Sequence, residues 1–294
     1  MKQAVKLLLI LLLYSCAGLD SKNEDFDMAY QEGNKICVVR FNPKEKKYFS
    51  QVTDPCLSPD GKRLTYTKSN DTSGQSSRVI IIADMETGVL TPLNIKNNNH
   101  YGAVWSPDGA YIAFNLFDNN EWHVGVIKTD NTGLQILRSP VGNGLFAPAW
   151  MPDSQQIIAH DLTTIYIFNL AGEQEETFNI NHLIGDKFFV SSATRFQFSA
   201  DQNNLIFNAG IDETIPGIDE PAEAIFSYDF NSKKCKRLTP RGLSCFDPWP
   251  DASDTLYFAA IKDSGFKPTI YKTSLSGSKP IPLMAGSRPS IKVK

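Results

Sequence analysis

The sequence predicts an all-β protein built as a six-bladed β-propeller, and three observations carry that expectation. An apolar–turn–apolar pattern recurs five times at nearly even spacing, a second hairpin pattern follows each copy, and an unmatched half-repeat stands at each end of the chain. A strand-built period of about 45 to 50 residues fits propeller blades rather than helical arrays.

The first pattern is clearest from Val104 to Phe114, Val-Trp-Ser-Pro-Asp-Gly-Ala-Tyr-Ile-Ala-Phe. With the apolar residue before the turn as marker, the copies fall at Leu57, Trp105, Trp150, Phe198 and Trp249, separated by 48, 45, 48 and 51 residues. Apolar residues follow at +7 and +9: Leu64 and Tyr66, Ile112 and Phe114, Ile157 and Ala159, Leu205 and Phe207, Leu256 and Phe258. The copies align without a gap. In Ser-Pro-Asp-Gly, Pro presets φ near −65°, Asp tolerates the third turn position, and Gly accepts φ > 0 at the fourth. The residues after the turn alternate, so +7 and +9 share one face of the second strand.

The second pattern is two β runs joined by a Gly, Asn or Ser turn. Val79–Asp84 leads through Glu86-Thr87-Gly88 to Val89–Leu93, and Val124–Asp130, Ile165–Leu170, Ile225–Phe230 and Ile270–Leu275 each run into a similar turn. Two hairpins make a four-stranded blade. A sixth copy of the second half precedes the first marker, Ile36–Phe41 turning into Tyr48–Val52, and a sixth opening strand ends the chain at Pro289-Ser290-Ile291-Lys292-Val293. The two fragments complement one another, so the ring is expected to close by pairing the C-terminal strand with the N-terminal partial blade. Closure removes the open edges that are a liability in β proteins.

These copies resemble the TolB-type β-propeller repeat, a WD-like repeat whose consensus looks like Trp105-Ser106-Pro107-Asp108-Gly109, then Ile-Ala-Phe, then Ile-Tyr-x-x-Asp. The resemblance covers residues 36–294. The third to fifth copies depart in the turn, with Met151 and Ser154, Ala200 and Gln202, and Pro250-Asp251-Ala252-Ser253, while the apolar spacing survives. It implies a periplasmic protein-interaction domain linked to envelope integrity. The chain has no room for the separate N-terminal domain of TolB proteins, so that specific role is not carried over.

Residues 1–15 place Lys2 and Lys6 before the apolar run Leu7–Leu13, which reads as a secretion signal and is shorter than the roughly 20 residues of a spanning helix. Leu13-Tyr14-Ser15-Cys16 resembles the lipobox of bacterial lipoproteins, with Tyr14 the one departure. That resemblance implies lipidation of Cys16, a membrane anchor and, since Ala17 follows, the outer membrane. Residues 16–34 are expected to be a solvated tether rich in Asp, Glu, Ser, Lys, Asn and Gly, and 35–294 the propeller.

The chain has 29 basic and 32 acidic residues; without Lys2 and Lys6 the net charge is −5, which supplies no bulk attraction for nucleic acid. Cys37, Cys56, Cys235 and Cys245 follow Cys16. An exported compartment permits disulfides, four Cys allow three pairings, and buried free thiols are the other reading.

Antiparallel geometry puts the Ser-Pro-Asp-Gly turns at one mouth of the channel, and the entries to the first strands at the other. The entering residues are Asp54, His100 with Tyr101, Leu145 with Phe146, Thr194 with Arg195, and Phe246 with Asp247. Of these, His100, Tyr101, Arg195, Phe246 and Asp247 are the candidate ligand-binding residues. The longest interruption of the repeat, Gly210 to Ala224, belongs to the same mouth and adds Asp212, Glu213, Asp219 and Glu220. Its carboxylates lack the spacing of a calcium loop, so no metal is assigned. The four His are scattered, and the chain has no Gly-x-Ser-x-Gly elbow, phosphate-cradling Gly loop or Cys-x-x-Cys.

The expectation is therefore a monomeric, lipid-anchored envelope module without cofactor, offering one mouth to a protein, peptide or glycan. The alternative is a propeller enzyme of hydrolase or lyase type, which would need His100, Arg195 and Asp247 within hydrogen-bond reach around a shared opening.

Overall fold

The computed structural model describes residues 25–72, 75–218 and 220–293. The secretion signal, Cys16 and Asp219 lie outside them.

Six four-stranded antiparallel sheets form the ring. Blade 1 holds β1 (Met28–Glu32), β2 (Lys35–Arg40) and β3 (Glu45–Ser50). Blade 2 holds β4 (Val52–Leu57), β5 (Arg63–Thr72), β6 (Gln75–Asp84) and β7 (Leu90–Pro92). Blade 3 is β8 (His100–Trp105), β9 (Tyr111–Asp118), β10 (Glu121–Lys128) and β11 (Gln135–Leu137). Blade 4 is β12 (Phe146–Trp150), β13 (Gln156–His160), β14 (Thr164–Asn169) and β15 (Gln174–Asn179), followed by the short helix α1 (Ile180–Ile184). Blade 5 is β16 (Gln197–Phe198), β17 (Asn204–Gly210), β18 (Glu223–Asp229) and β19 (Lys234–Arg237). Blade 6 is β20 (Ser244–Pro250), β21 (Thr255–Ile261), β22 (Thr269–Ser274) and β23 (Ile281–Ala285), and the last strand, β24 (Ser287–Ile291), returns to blade 1 as its inner strand.

Closure occurs between the chain ends, with one strand more than the repeats announce. The C-terminal strand β24 pairs antiparallel with β1, Met28 opposite Ile291 and Ala29 opposite Ser290, and β1 pairs with β2. Residues 28–32 were expected in the solvated tether. They are instead interior: Met28, Ala29 and Tyr30 are buried. A strand covered on both faces loses the alternation that marks a half-exposed one, and the acidic residues around it suggested solvent. Those acids have partners in place, although Asp25 Oδ1 is buried without one among the described residues. Lys292 Nζ lies 2.9 Å from Asp25 Oδ2 and 3.1 Å from Asp27 Oδ1, and Asp27 Oδ2 accepts the Phe41 N–H at 2.7 Å.

The +7 and +9 residues of all five copies are buried, and they supply the wedges between blades. In blades 2 to 5 the marker pairs with the +7 residue: Leu57 with Leu64, Trp105 with Ile112, Trp150 with Ile157, Phe198 with Leu205. Blade 6 departs from the gapless alignment, because Pro250, not Trp249, pairs with Leu256. Its turn is one residue shorter, and the left-handed position filled by Gly61, Gly109, Ser154 and Gln202 elsewhere passes to Asp254.

The turns are held by side chains. Ser58 Oγ donates to Asp60 Oδ1 at 2.6 Å and accepts the Arg63 N–H, while Asp60 accepts the Lys62 N–H. Ser106 with Asp108 and Ser199 with Asp201 repeat this arrangement. The recurring Asp is thus a turn residue. Between blades, the Trp105 indole donates to Cys56 O and the Trp150 indole to Val104 O, each at 3.1 Å.

The insert spans 211–222, but it is not the longest interruption. Ile180 to Phe196, between β15 and β16, is longer and carries α1. A three-residue link between β13 and β14 offsets it, so the marker spacing there stays ordinary. All four described Cys are free thiols, three of them buried and Cys235 half-buried.

Candidate functional site

The inner strands of blades 2, 3, 4 and 6 each carry a β-bulge three residues before the residue that pairs across the turn. Its left-handed residues are Asp54 (φ 55°), Gly102 (68°), Ala147 (49°) and Asp247 (53°), and Arg288 (50°) stands at the matching place in β24. In blade 5 that place belongs to Arg195. A bulge re-aims a side chain that the pleat would direct into the sheet, and here the bulged strands, together with Arg195 of blade 5, place one residue per blade around the axis. All six line a cavity of about 150 Å³ at the strand-entry mouth, with Tyr101, Asn115, Asn208, Ser192, Ala193 and Trp249.

Around this ring blades 5, 6, 1 and 2 contribute Arg195, Asp247, Arg288 and Asp54, alternating in sign, and blades 3 and 4 contribute Gly102 and Ala147, which bring no charge and little bulk. Arg288 is ion-paired with Asp54, and its N–H donates to Asp247 Oδ2 at 3.0 Å. Burial pushes the Asp247 carboxyl up, opposed by the Arg288 charge and N–H. Glu223 is likewise pushed up by burial, opposed by the hydrogen bond it accepts from Asn208. Arg195 shows the opposite sign: desolvation works against its charge, with Cys56, Asp247 and Asp54 in its field, yet no side chain or carbonyl among the described residues hydrogen-bonds it, and its Nε is buried without a partner.

Of the five candidates at the strand entries, the fold brings together Tyr101, Arg195 and Asp247. His100 goes elsewhere. It is buried, its Nδ1 accepts the Ile80 N–H at 3.2 Å, and its ring packs on Phe114, so the cluster of His100, Arg195 and Asp247 needed for the enzymatic alternative is not assembled. Phe246 is half-buried outside the lining, because the one-residue offset of blade 6 gives the bulge to Asp247. Leu145 and Thr194 are buried, and Phe146 packs near His160.

In the insert, Asp212 and Glu220 are exposed, and Glu213 accepts from Arg237 at 2.8 Å and Arg241 at 2.6 Å. Asp212, Glu213 and Glu220 are outside the cavity lining.

Arg288, Asn115 and Asn208 escaped the reading of the sequence. Arg288 stands three residues before Ile291, the offset that leads from Leu57 to Asp54, and that offset would have found it. A polar residue ten positions after the marker would have found others. Thr67 Oγ1 accepts the Gly102 N–H at 3.2 Å, Asn115 Oδ1 the Ala147 N–H at 2.9 Å, and His160 Nε2 meets Thr194 O at 2.8 Å. Each ties one blade to the next.

The opposite mouth has another character. Pro59, Pro107, Pro152 and Pro250 with Leu57, Trp105, Trp150, Phe198 and Trp249 line a second cavity of about 190 Å³, and Arg195 and Trp249 border both cavities. Asp25 lies at this apolar end, beside Lys292 and the Gly61 turn.

Solved structures share this fold. TolB from Acinetobacter baumannii superposes with a TM-score of 0.66 at 16% identity, covering 92% of this chain and 68% of that one. The fold is that of a TolB-like propeller. A TolB from Agrobacterium tumefaciens gives 0.62 at 14% identity, covering 90% of this chain and 91% of that one. The β-propeller domain of the Trilobed protease from Pyrococcus furiosus gives 0.55 at 13%, over 89% and 81%; that domain is described as having an open velcro topology, whereas the TolB-like propeller here is closed by β24 on β1. No family model matches the sequence. Among curated proteins, the uncharacterized peptidase YuxL of Bacillus subtilis (strain 168) is 29% identical over 109 residues, which is 36% of this chain and 17% of that protein.

Proposed function

We propose that this TolB-like propeller is a binding module of the bacterial cell envelope that receives a protein or peptide at its strand-entry mouth. The observation that carries the reading is the ring of six residues, one from each blade, four of them charged and alternating in sign, with the other two leaving one side of the opening free. Alternating charges around a narrow opening select a partner by pattern rather than by net charge. The loops of the same mouth expose Leu162, Phe189 and Phe266, apolar contacts of the kind that anchor protein partners.

Lipidation of Cys16 belongs to the same proposal. Asp25 stands nine residues after Cys16, a stretch that reaches about 30 Å at most, and it lies at the apolar end of the channel. An anchor attached there leaves the charged mouth pointing away from the membrane.

The test is a photo-crosslinking amino acid placed in cells at position 193, in the charged mouth, and at position 252, in the apolar one. The expected result is a discrete peptide or protein adduct from position 193. Adducts from position 252 alone refute the assignment of the mouth. Cys16→Ala is expected to release the protein from membranes, and persistent tight association refutes the anchor.

A further inference from the structure

Arg195 is the one member of the charged ring whose side chain has neither a hydrogen bond nor an ion pair among the described residues. Asp54 is taken by Arg288, and Asp247 accepts the Arg288 N–H. Arg195 receives only the longer-range field of these carboxylates, and its Nε is buried with no acceptor. Arg195 is half-buried, an unpaired guanidinium drawn partly out of water is costly, and the planar fork of Arg is suited to grip a carboxylate with two parallel hydrogen bonds. Space for such a group exists beside it. Gly102 and Ala147 put no long side chain into the cavity, Ser192 and Ala193 form the adjoining wall, and Arg195 also borders the second cavity, so it stands at the waist of the channel.

We infer that Arg195 anchors a carboxylate of the bound partner, entering by the charged mouth on the side of Gly102 and Ala147. The inference rests on the proposed role of that mouth and adds the chemical class of the group recognised. A chain terminus and an Asp or Glu side chain offer the same chemistry. The opening admits a chain end or a single extended segment, and the alternating ring leaves Arg195 as the site for a negative group.

The experiment uses the full chain in detergent with four short probes: acetyl-trialanine as free acid and as amide, and acetyl-Ala-Glu-Ala-amide against acetyl-Ala-Gln-Ala-amide. Binding is followed by the fluorescence of the protein, with Trp249 lining the cavity, and by the Nε–H resonance of Arg195, assigned by its loss in Arg195→Gln. The acid is expected to bind at least tenfold more tightly than its neutral counterpart in one pair or both. A preference confined to acetyl-trialanine assigns a chain terminus, and one confined to the Glu probe assigns a side chain. Arg195→Gln is expected to abolish the preference, Arg195→Lys to restore part of it, and Arg241→Gln, an exposed charge outside the cavity lining, to leave it intact.

Equal binding of acid and amide at this mouth overturns the anchor while leaving the mouth as a binding surface. A preference that survives in Arg195→Gln overturns it too, as does displacement of the acid by an equal concentration of chloride. If none of the probes binds while position 193 still cross-links a partner, the anchor fails and the mouth stands.

Discussion

Gly61 and Gly109 occupy the same place in successive turns with nearly the same backbone, φ 72° and 73°, but their surroundings differ. A Cβ on Gly109 would meet nothing nearer than Pro59 Cδ at 3.8 Å, whereas one on Gly61 would lie 2.2 Å from Phe26 O and 3.0 Å from Phe26 N. Gly109→Ala should therefore cost only the left-handed penalty, about 1 kcal/mol. Gly61→Ala adds displacement of the N-terminal segment. The Phe26 N–H to Gly61 O bond, 2.8 Å long, contributes about 1 kcal/mol net, and partial exposure of the fully buried Phe26 side chain costs about 1 to 2 kcal/mol more. The expected loss is about 3 to 4 kcal/mol for Gly61→Ala against about 1 kcal/mol for Gly109→Ala. Thermal unfolding followed by circular dichroism reads the difference, at about 2 to 4 °C per kcal/mol for a domain approaching this size. Midpoints that agree within about 2 °C would refute the claim that residues 25–27 are clamped against the first turn.

Trp150→Phe removes the indole donor to Val104 O and leaves a void between blades 3 and 4. A loss of about 2 kcal/mol in urea unfolding is expected, and a neutral result would show that the contact between blades does not depend on this bond. Acid sensitivity has a definite sign. His100 and His160 are held neutral by burial, each with its pKa pushed down from 6.5 to about 4. The unfolded chain takes up their protons first, so their contribution is complete above about pH 6.5 and is lost as pH falls toward 4. The urea midpoint should drop across that window, less steeply in His100→Asn, and an unchanged slope in that variant counts against the assignment.

The fold was legible because propeller blades repeat their apolar spacing even where turn chemistry decays. Met151, Ala200 and Pro250 break the Ser-Pro-Asp-Gly pattern, yet Ile157, Leu205 and Leu256 remain buried. What escaped was information without periodicity. Strand β1 is covered on both faces and flanked by Asp25 and Asp27, so its residues read as tether. The long connection carrying α1 hides inside an ordinary 48-residue interval. The site was legible in its location and in three of its residues. Which neighbour faces the axis is set by a bulge, and a one-residue change of register exchanges Phe246 for Asp247. Arg288 stands one residue before the C-terminal fragment Pro289–Val293, which was read for closure, so its side chain was not placed in the mouth.

Closure by the last strand also sets an order of events in folding. Leu57 N–H finds its acceptor in Ser290 Oγ, 233 residues later, and Asp25 meets Lys292 across 267. Contacts between such distant parts of a chain form slowly, and during synthesis or export the residues that complete blade 1 emerge after those of the other five blades. Until then β1 lacks its inner neighbour and β4 lacks the Ser290 hydroxyl, so the newborn propeller is an arc with two exposed edges. The interval before β24 arrives is when a chaperone has most to protect.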